Sequence, residues 1–252
     1  MLNLLRIEGY KLRRFKPFYF CIAMMVALGI EGACTGVKQT YIDYYGVGTM
    51  HDGFIDSVQD CSFSFIIGML IAWYIGIDFT NRTVHRSIVT GGKRWMVVVS
   101  RIMTTSLMTF IFHLLLIGSQ MATFGKSFGY SLEGFCMQDL VWLGVVALQL
   151  IALNAFYALI TIICGNVYTA LFACVITAAI GGNILRNVFV GNTIYEHSFF
   201  CFAKSASASD LIPCTICAII AIILLVGITS IYFNKKDVSN YTKISKKSCG
   251  TK

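Results

Sequence analysis

Between two long apolar runs lies a short charged segment, Asp78–Trp95, with the sequence DFTNRTVHRSIVTGGKRW. Its residue types suit contact with another molecule more than bond-making. Arg82 and Arg86 fall four apart on one helical face, and Val84 and Ile88 four apart on another. Asp78 closes the preceding apolar run, and an Asp there suits a helix N-terminus, where its oxygen accepts from unpaired backbone N–H groups. Gly91-Gly92 supplies a stop, because glycine enters the left-handed conformation without steric cost. The simplest expectation is a short helix lying along a membrane surface.

Other residue patterns are weaker. Gly92-Lys93 and Gly125-Lys126-Ser127 match the end of a phosphate-binding loop, but Ser87 and Gln120 stand where its earlier glycine belongs. Arg94 also replaces the Ser or Thr that should follow Lys93. Cys214-Thr-Ile-Cys217 has metal-ligand spacing without a second ligand pair. Paired carboxylates, an HExxH motif and a nucleophile elbow are all missing from the sequence. The expectation is therefore no enzyme activity, no metal and no cofactor in this chain. Asn81-Arg82-Thr83 and Asn240-Tyr241-Thr242 match the glycosylation pattern but fall on the side expected to be cytoplasmic.

Composition sets the elements that must carry these residues. Of 252 residues, 57% are hydrophobic and 13% charged, where a soluble domain would carry about 25% charge. Mean hydropathy is +0.73. Runs free of Asp, Glu, Lys and Arg cover Cys61–Ile77, Ile102–Gly125, Leu140–Leu185 and Leu211–Asn234. Since roughly 20 apolar residues cross a bilayer, Leu140–Leu185 is two helices folded at Gly165-Asn166. Pro17–Gly36 adds one more span, interrupted only by Glu31. The expected fold is all-α and integral to the membrane, a single transmembrane domain over 1–252. It has six transmembrane helices near 17–36, 57–77, 97–121, 140–163, 167–185 and 211–233, followed by a basic tail over 234–252.

Cations give the orientation. Arg6, Lys11, Arg13, Arg14 and Lys16 precede the first span; Arg82, Arg86, Lys93, Arg94 and Arg101 follow the second; Lys235, Lys236, Lys243, Lys246, Lys247 and Lys252 follow the last. With six alternating spans these share one side, so the positive-inside rule puts both termini and the Asp78 segment in the cytoplasm, in a multi-pass plasma-membrane protein. The net charge of +8 is then topology, not a nucleic-acid footprint. Residues 1–16 form an amphipathic interfacial helix, with Leu2, Leu4, Leu5, Leu12 and Phe15 across a broad face, against anionic headgroups. Glu8 and Lys16 interrupt that pattern. A secretory signal competes, but the run leads into further spans and Glu31 precedes any plausible cleavage point.

Several residues carry two readings. Asp52, Asp56 and Asp60 recur every four residues in the first outer loop, as an acidic mouth for cationic solutes or as the solvated face of a helix entering the second span. His113, Gln149 and Asn154 are polar at membrane depth; interhelical hydrogen bonding is expected for Asn154 and packing for His113. In the fifth span Ala170, Cys174, Ala178 and Gly182 form a small ridge that lets a helix approach closely, within this chain or from another. Cys34, Cys61, Cys136 and Cys201 approach the outer face, where bridges are open to them.

The charged segment also resembles the first cytoplasmic loop of ABC-2 type transporter permeases, whose pattern runs acid-aromatic-x-x-Gly-Thr-apolar-Arg and ends in Gly and a basic residue. The matching residues are Asp78, Phe79, Thr83, Val84, Arg86, Ile88, Gly91 and Arg94. The sequence departs at Asp78, where Glu is more usual, and at Arg82, where Gly usually precedes the Thr. What the resemblance implies is a short coupling helix between spans two and three, seated in a groove of a separate ATPase subunit. Asp78, Phe79, Arg82, Thr83, Arg86, Ile88, Gly91 and Arg94 would then be the coupling residues. It further implies a second partner contact at Gly165, Asn166 and Tyr168, and a seam with a second permease subunit, as homo- or heterodimer, along Ala170, Cys174, Ala178 and Gly182. Mg-ATP would bind in the partner. Compact permeases of this kind resemble exporters of antimicrobial peptides such as bacitracin and lantibiotics in bacteria. A stand-alone channel or secondary carrier is the alternative, and it would show more charge inside the spans.

Overall fold

The computed structural model describes residues 2–44, 48–60, 63–81, 83, 93–180, 188, 193–202 and 209–235. Every regular element among them is helical: α1 Leu2–Arg14, α2 Lys16–Tyr44, α3 Met50–Gln59, α4 Ser64–Thr80, α5 Arg94–Phe128, α6 Met137–Cys164, α7 Val167–Ala179, the short α8 Thr193–Glu196, and α9 Leu211–Lys235. Four of them, over Lys16–Gln39, α5, α6 and α9, are long and apolar enough to cross a membrane. The chain is thus compatible with a multi-pass membrane protein.

Among the described residues the limits of the helices differ from those expected of the spans. The second span does not start near 57. The helix α3 ends at Gln59, followed by the extended backbone of Asp60, and α4 begins at Ser64, bent by 53° from it. Counting that bent pair as one span makes five. The fifth expected span, 167–185, is described only as α7, which ends at Ala179 and falls short of the roughly 20 residues a bilayer needs; residues 181–185 lie outside the described residues. At the other extreme, α5 has 35 residues. It is about 50 Å long and projects well beyond a hydrocarbon core of about 30 Å.

Local chemistry accounts for the breaks. Pro17 cannot donate a backbone hydrogen bond, which suits the first turn of α2 and separates it from α1. Thr49 and Asp52 form a reciprocal capping box at the start of α3. Gly165 adopts φ +64, ending α6 in the left-handed region, and the Asn166 side chain accepts from the Tyr168 N–H to start α7.

The helix α4 is the hub. Ile67, Ile71, Tyr74 and Ile75 are fully buried, and α4 packs against α7, α6, α2 and α5. Its closest approach is at Gly76, where a Cβ would sit 2.9 Å from Val167 Cα; only glycine leaves room for α7 there. Ala170, Cys174 and Ala178 are buried in the same interface, with Cys174 Cβ 3.3 Å from where a side chain at Gly68 would begin. These three small residues thus pack within their own chain, on the side of α7 that faces α4. Gly182 lies outside the described residues. The outward face of α7, with Tyr168, Phe172 and Ile176, is exposed.

Candidate functional site

Six helix ends converge at the basic end of the bundle. Lys11 of α1 reaches the Asp78 carboxylate (Nζ to Oδ2, 2.6 Å), and Arg101 of α5 meets the same oxygen through Nη2 at 2.8 Å. The turn between α6 and α7 attaches through the Val167 N–H, which donates to Thr80 Oγ1 at 3.3 Å. The end of α9 attaches through Arg94 Nη1, donating to the Asn234 carbonyl at 3.0 Å, and through Phe79 edge-on to Phe233 at 6.1 Å.

At the centre is a buried node of two acids and two cations, Glu8, Asp78, Lys11 and Arg101. The side chains of Asp78 and Arg101 are 10% and 4% exposed. Tyr74 Oη donates to Glu8 Oε2 at 2.6 Å. Arg101 Nε lies 3.8 Å from Glu8 Oε1, a charge contact too long to be a hydrogen bond. Lys11 Nζ also donates to the Tyr74 carbonyl at 3.1 Å and sits 4.0 Å above the Tyr74 ring. Thr83 Oγ1 donates to Asp78 Oδ1 at 2.8 Å. Formal charges cancel, so the group can be withdrawn from solvent without leaving a net charge behind. Burial still holds the Lys11 ammonium below the usual lysine value, against the pull of the Asp78 and Glu8 carboxylates. A cleft of about 440 Å³ opens beside the node, between α1 and the end of α4.

Asp78 is not at a helix N-terminus. The apolar run continues one turn past it, and Asp78 lies in the last turn of α4, which ends at Thr80. A carboxylate there opposes the helix dipole, and the two cations from α1 and α5 outweigh that term.

Of the coupling residues expected from the sequence, the structure brings Asp78, Phe79, Thr83 and Arg94 to this rim. Arg82, Arg86, Ile88 and Gly91 lie outside the described residues, as does Val84. Gly165, Asn166 and Tyr168 join the same rim through Val167, and Tyr168 is exposed. Sequence reasoning missed Glu8, Lys11, Tyr74 and Arg101 as members of one group. The available signals were the i, i+4 pair Tyr74/Asp78 on one face of α4, and an acid placed among cations on α1.

The opposite end carries different chemistry. His51 Nε2 lies 3.2 Å from Asp139 Oδ2, and His197 Nε2 lies 3.4 Å from Asp210 Oδ1. Asp52 is engaged by Thr49 and Asp56 is exposed on α3, while Asp60 lies just past the helix on extended backbone; burial and the neighbouring Asp52 and Asp60 carboxylates push the Asp56 carboxyl above its usual value. At mid-bundle Thr109 Oγ1 donates to Asn154 Oδ1 at 3.0 Å, the interhelical bond expected of that asparagine. His113 is fully buried, 5.2 Å from the Phe63 ring. Cys34, Cys136 and Cys201 are free thiols, and Cys61 lies outside the described residues. Among the described residues no cluster of His, Cys, Asp and Glu is suited to a metal.

Compared with known proteins, the chain matches no family model, no curated protein and no solved structure.

Proposed function

We infer that this chain is the permease subunit of an ATP-driven exporter of the ABC-2 type, with six spans, both termini in the cytoplasm of a cell membrane, and ATP hydrolysed by separate ATPase subunits. Two permease subunits, identical or different, line a path for an amphipathic or peptide-like substrate, with antimicrobial peptides the class the resemblance favours. The carrying observation is the way both flanks of segment 82–93 are tied down. On one side Asp78 is held by Lys11 and Arg101, and on the other Arg94 is held by the end of α9. A force applied to the segment by a partner therefore reaches α1, α4, α5 and α9 together, not one helix alone. Basic residues of the segment, Arg82 and Arg86, supply charges for acidic groups of the ATPase. Tyr168, exposed on the same rim, supplies a second contact. Closure of the ATPases would then rock the two permease halves. The covered ridge of α7 leaves Phe172 and Ile176 as its free face toward a second subunit.

The test is the double variant Arg82→Glu with Arg86→Glu, reconstituted with the native ATPase. Membrane insertion should be unchanged while ATP hydrolysis no longer drives export. Export at the wild-type rate would remove the assigned role from both residues.

A further inference from the structure

We propose that the groove between α1, α5 and α6 holds an acyl chain of one anionic phospholipid, whose phosphate is met by Arg6 and Arg13. The groove has a volume of about 620 Å³ and an almost wholly apolar lining that includes Gly9 and Leu12 of α1, Met103 and Leu107 of α5, and Ala147 and Ile151 of α6. Its α5 wall runs from Met103 to Phe110, about two helical turns or roughly 10 Å, a depth suited to a length of acyl chain lying along a helix.

Gly9 makes the mouth. It lies within α1, where glycine is costly relative to alanine, yet a Cβ there would touch nothing within 4 Å. No close approach by the protein's own atoms explains the missing side chain; Gly9 stands where the groove opens and adds no bulk there. Arg6 and Arg13 sit three before and four after Gly9, so both flank that opening on the helix surface. Both side chains are exposed, and neither has a carboxylate partner among the described residues. Glu8, the acid of α1, is occupied by Tyr74 and Arg101. Two free guanidiniums at the lip of an apolar groove match the phosphate and tail of an anionic lipid, since guanidinium meets phosphate oxygens in paired hydrogen bonds. A zwitterionic lipid offers the same tail but sets a choline charge against the arginines. The proposal needs no ATPase partner and stands apart from the transport assignment.

The experiment is native mass spectrometry of the full chain taken from vesicles of equal phosphatidylglycerol and phosphatidylcholine into mild detergent. One retained phosphatidylglycerol, in several-fold excess over phosphatidylcholine, is expected. Arg6→Gln and Arg13→Gln should each lower that preference about fivefold. Gly9→Trp should abolish retention by filling the mouth, with melting unchanged. Leu107→Trp fills the groove from the opposite wall and decides the matter if Gly9→Trp does not fold. Equal retention of the two lipids, or undiminished phosphatidylglycerol in a folded groove variant, would overturn the proposal. So would a second copy of the chain occupying this face in place of lipid.

Discussion

At the scale of single residues, the buried node converts one carboxylate into a joint between three helices. Asp78 accepts from Lys11, Arg101 and Thr83 at once, so Asp78→Ala strands two cations opposite Glu8 alone. Breaking a buried ion pair from one side costs about 3–5 kcal/mol, which should appear as a large drop in unfolding free energy in detergent. Asp78→Leu combined with Arg101→Met removes both charges of the 2.8 Å pair and should cost less than Asp78→Ala; a larger loss would show that the node is not an ion-pair joint. Lys11 adds a pH dependence of definite sign. Its folded pKa lies below the ordinary 10.5, so between the two values the unfolded chain holds a proton that the folded chain has released. Stability relative to Lys11→Met should therefore rise with pH across that window, and a falling curve would contradict the burial cause. Glu8 shows why part of the site was hidden in the sequence. An amphipathic pattern sorts residues between water and lipid, and Glu8 breaks it; the structure adds a third environment, the protein itself, in which Tyr74 and Arg101 await that acid.

At the scale of elements, the apolar runs made the long helices legible, because charge-free stretches of that length have few other uses. Ends were less legible. The run boundary at Asp78 suggested a helix start, whereas the buried partners of Asp78 let α4 continue to Thr80. The break between α3 and α4 falls at the extended backbone of Asp60, which a hydropathy run does not report. The small ridge of α7 was visible as a pattern, but spacing does not say which helix will lie on it. In the fold that helix is α4, and Gly76 sets the distance. Gly76→Leu should push α7 from α4 at a cost of about 1–3 kcal/mol and loosen the link from Val167 to Thr80. Hydrogen exchange should show faster opening at the start of α7, while the backbone amides of α5 and α6 around the Thr109–Asn154 bond stay protected. Equal protection throughout would mean that α7 is positioned by something other than this contact.

At the scale of the whole molecule, the chain has one basic rim, where α1, α4, α5, α7 and α9 are tied together, and one end where histidines face carboxylates. Of the cations the sequence grouped together, Lys11, Arg94 and Arg101 meet at this one end of the bundle with the end of α9, because charges that resist crossing lipid gather at a common rim. The proposed partner is a different matter: a surface that grips another protein would be complementary to a shape this chain does not contain. The central claim is that the basic rim is gripped by a separate motor. Its most direct test is purification of the tagged chain from its native membrane in mild detergent, with quantification of every co-purifying polypeptide. The expected result is an ATPase in about equal amount, lost in the Arg82→Glu, Arg86→Glu variant while the variant's melting is unchanged. A folded, monodisperse protein that transports solute with no ATPase bound would contradict it.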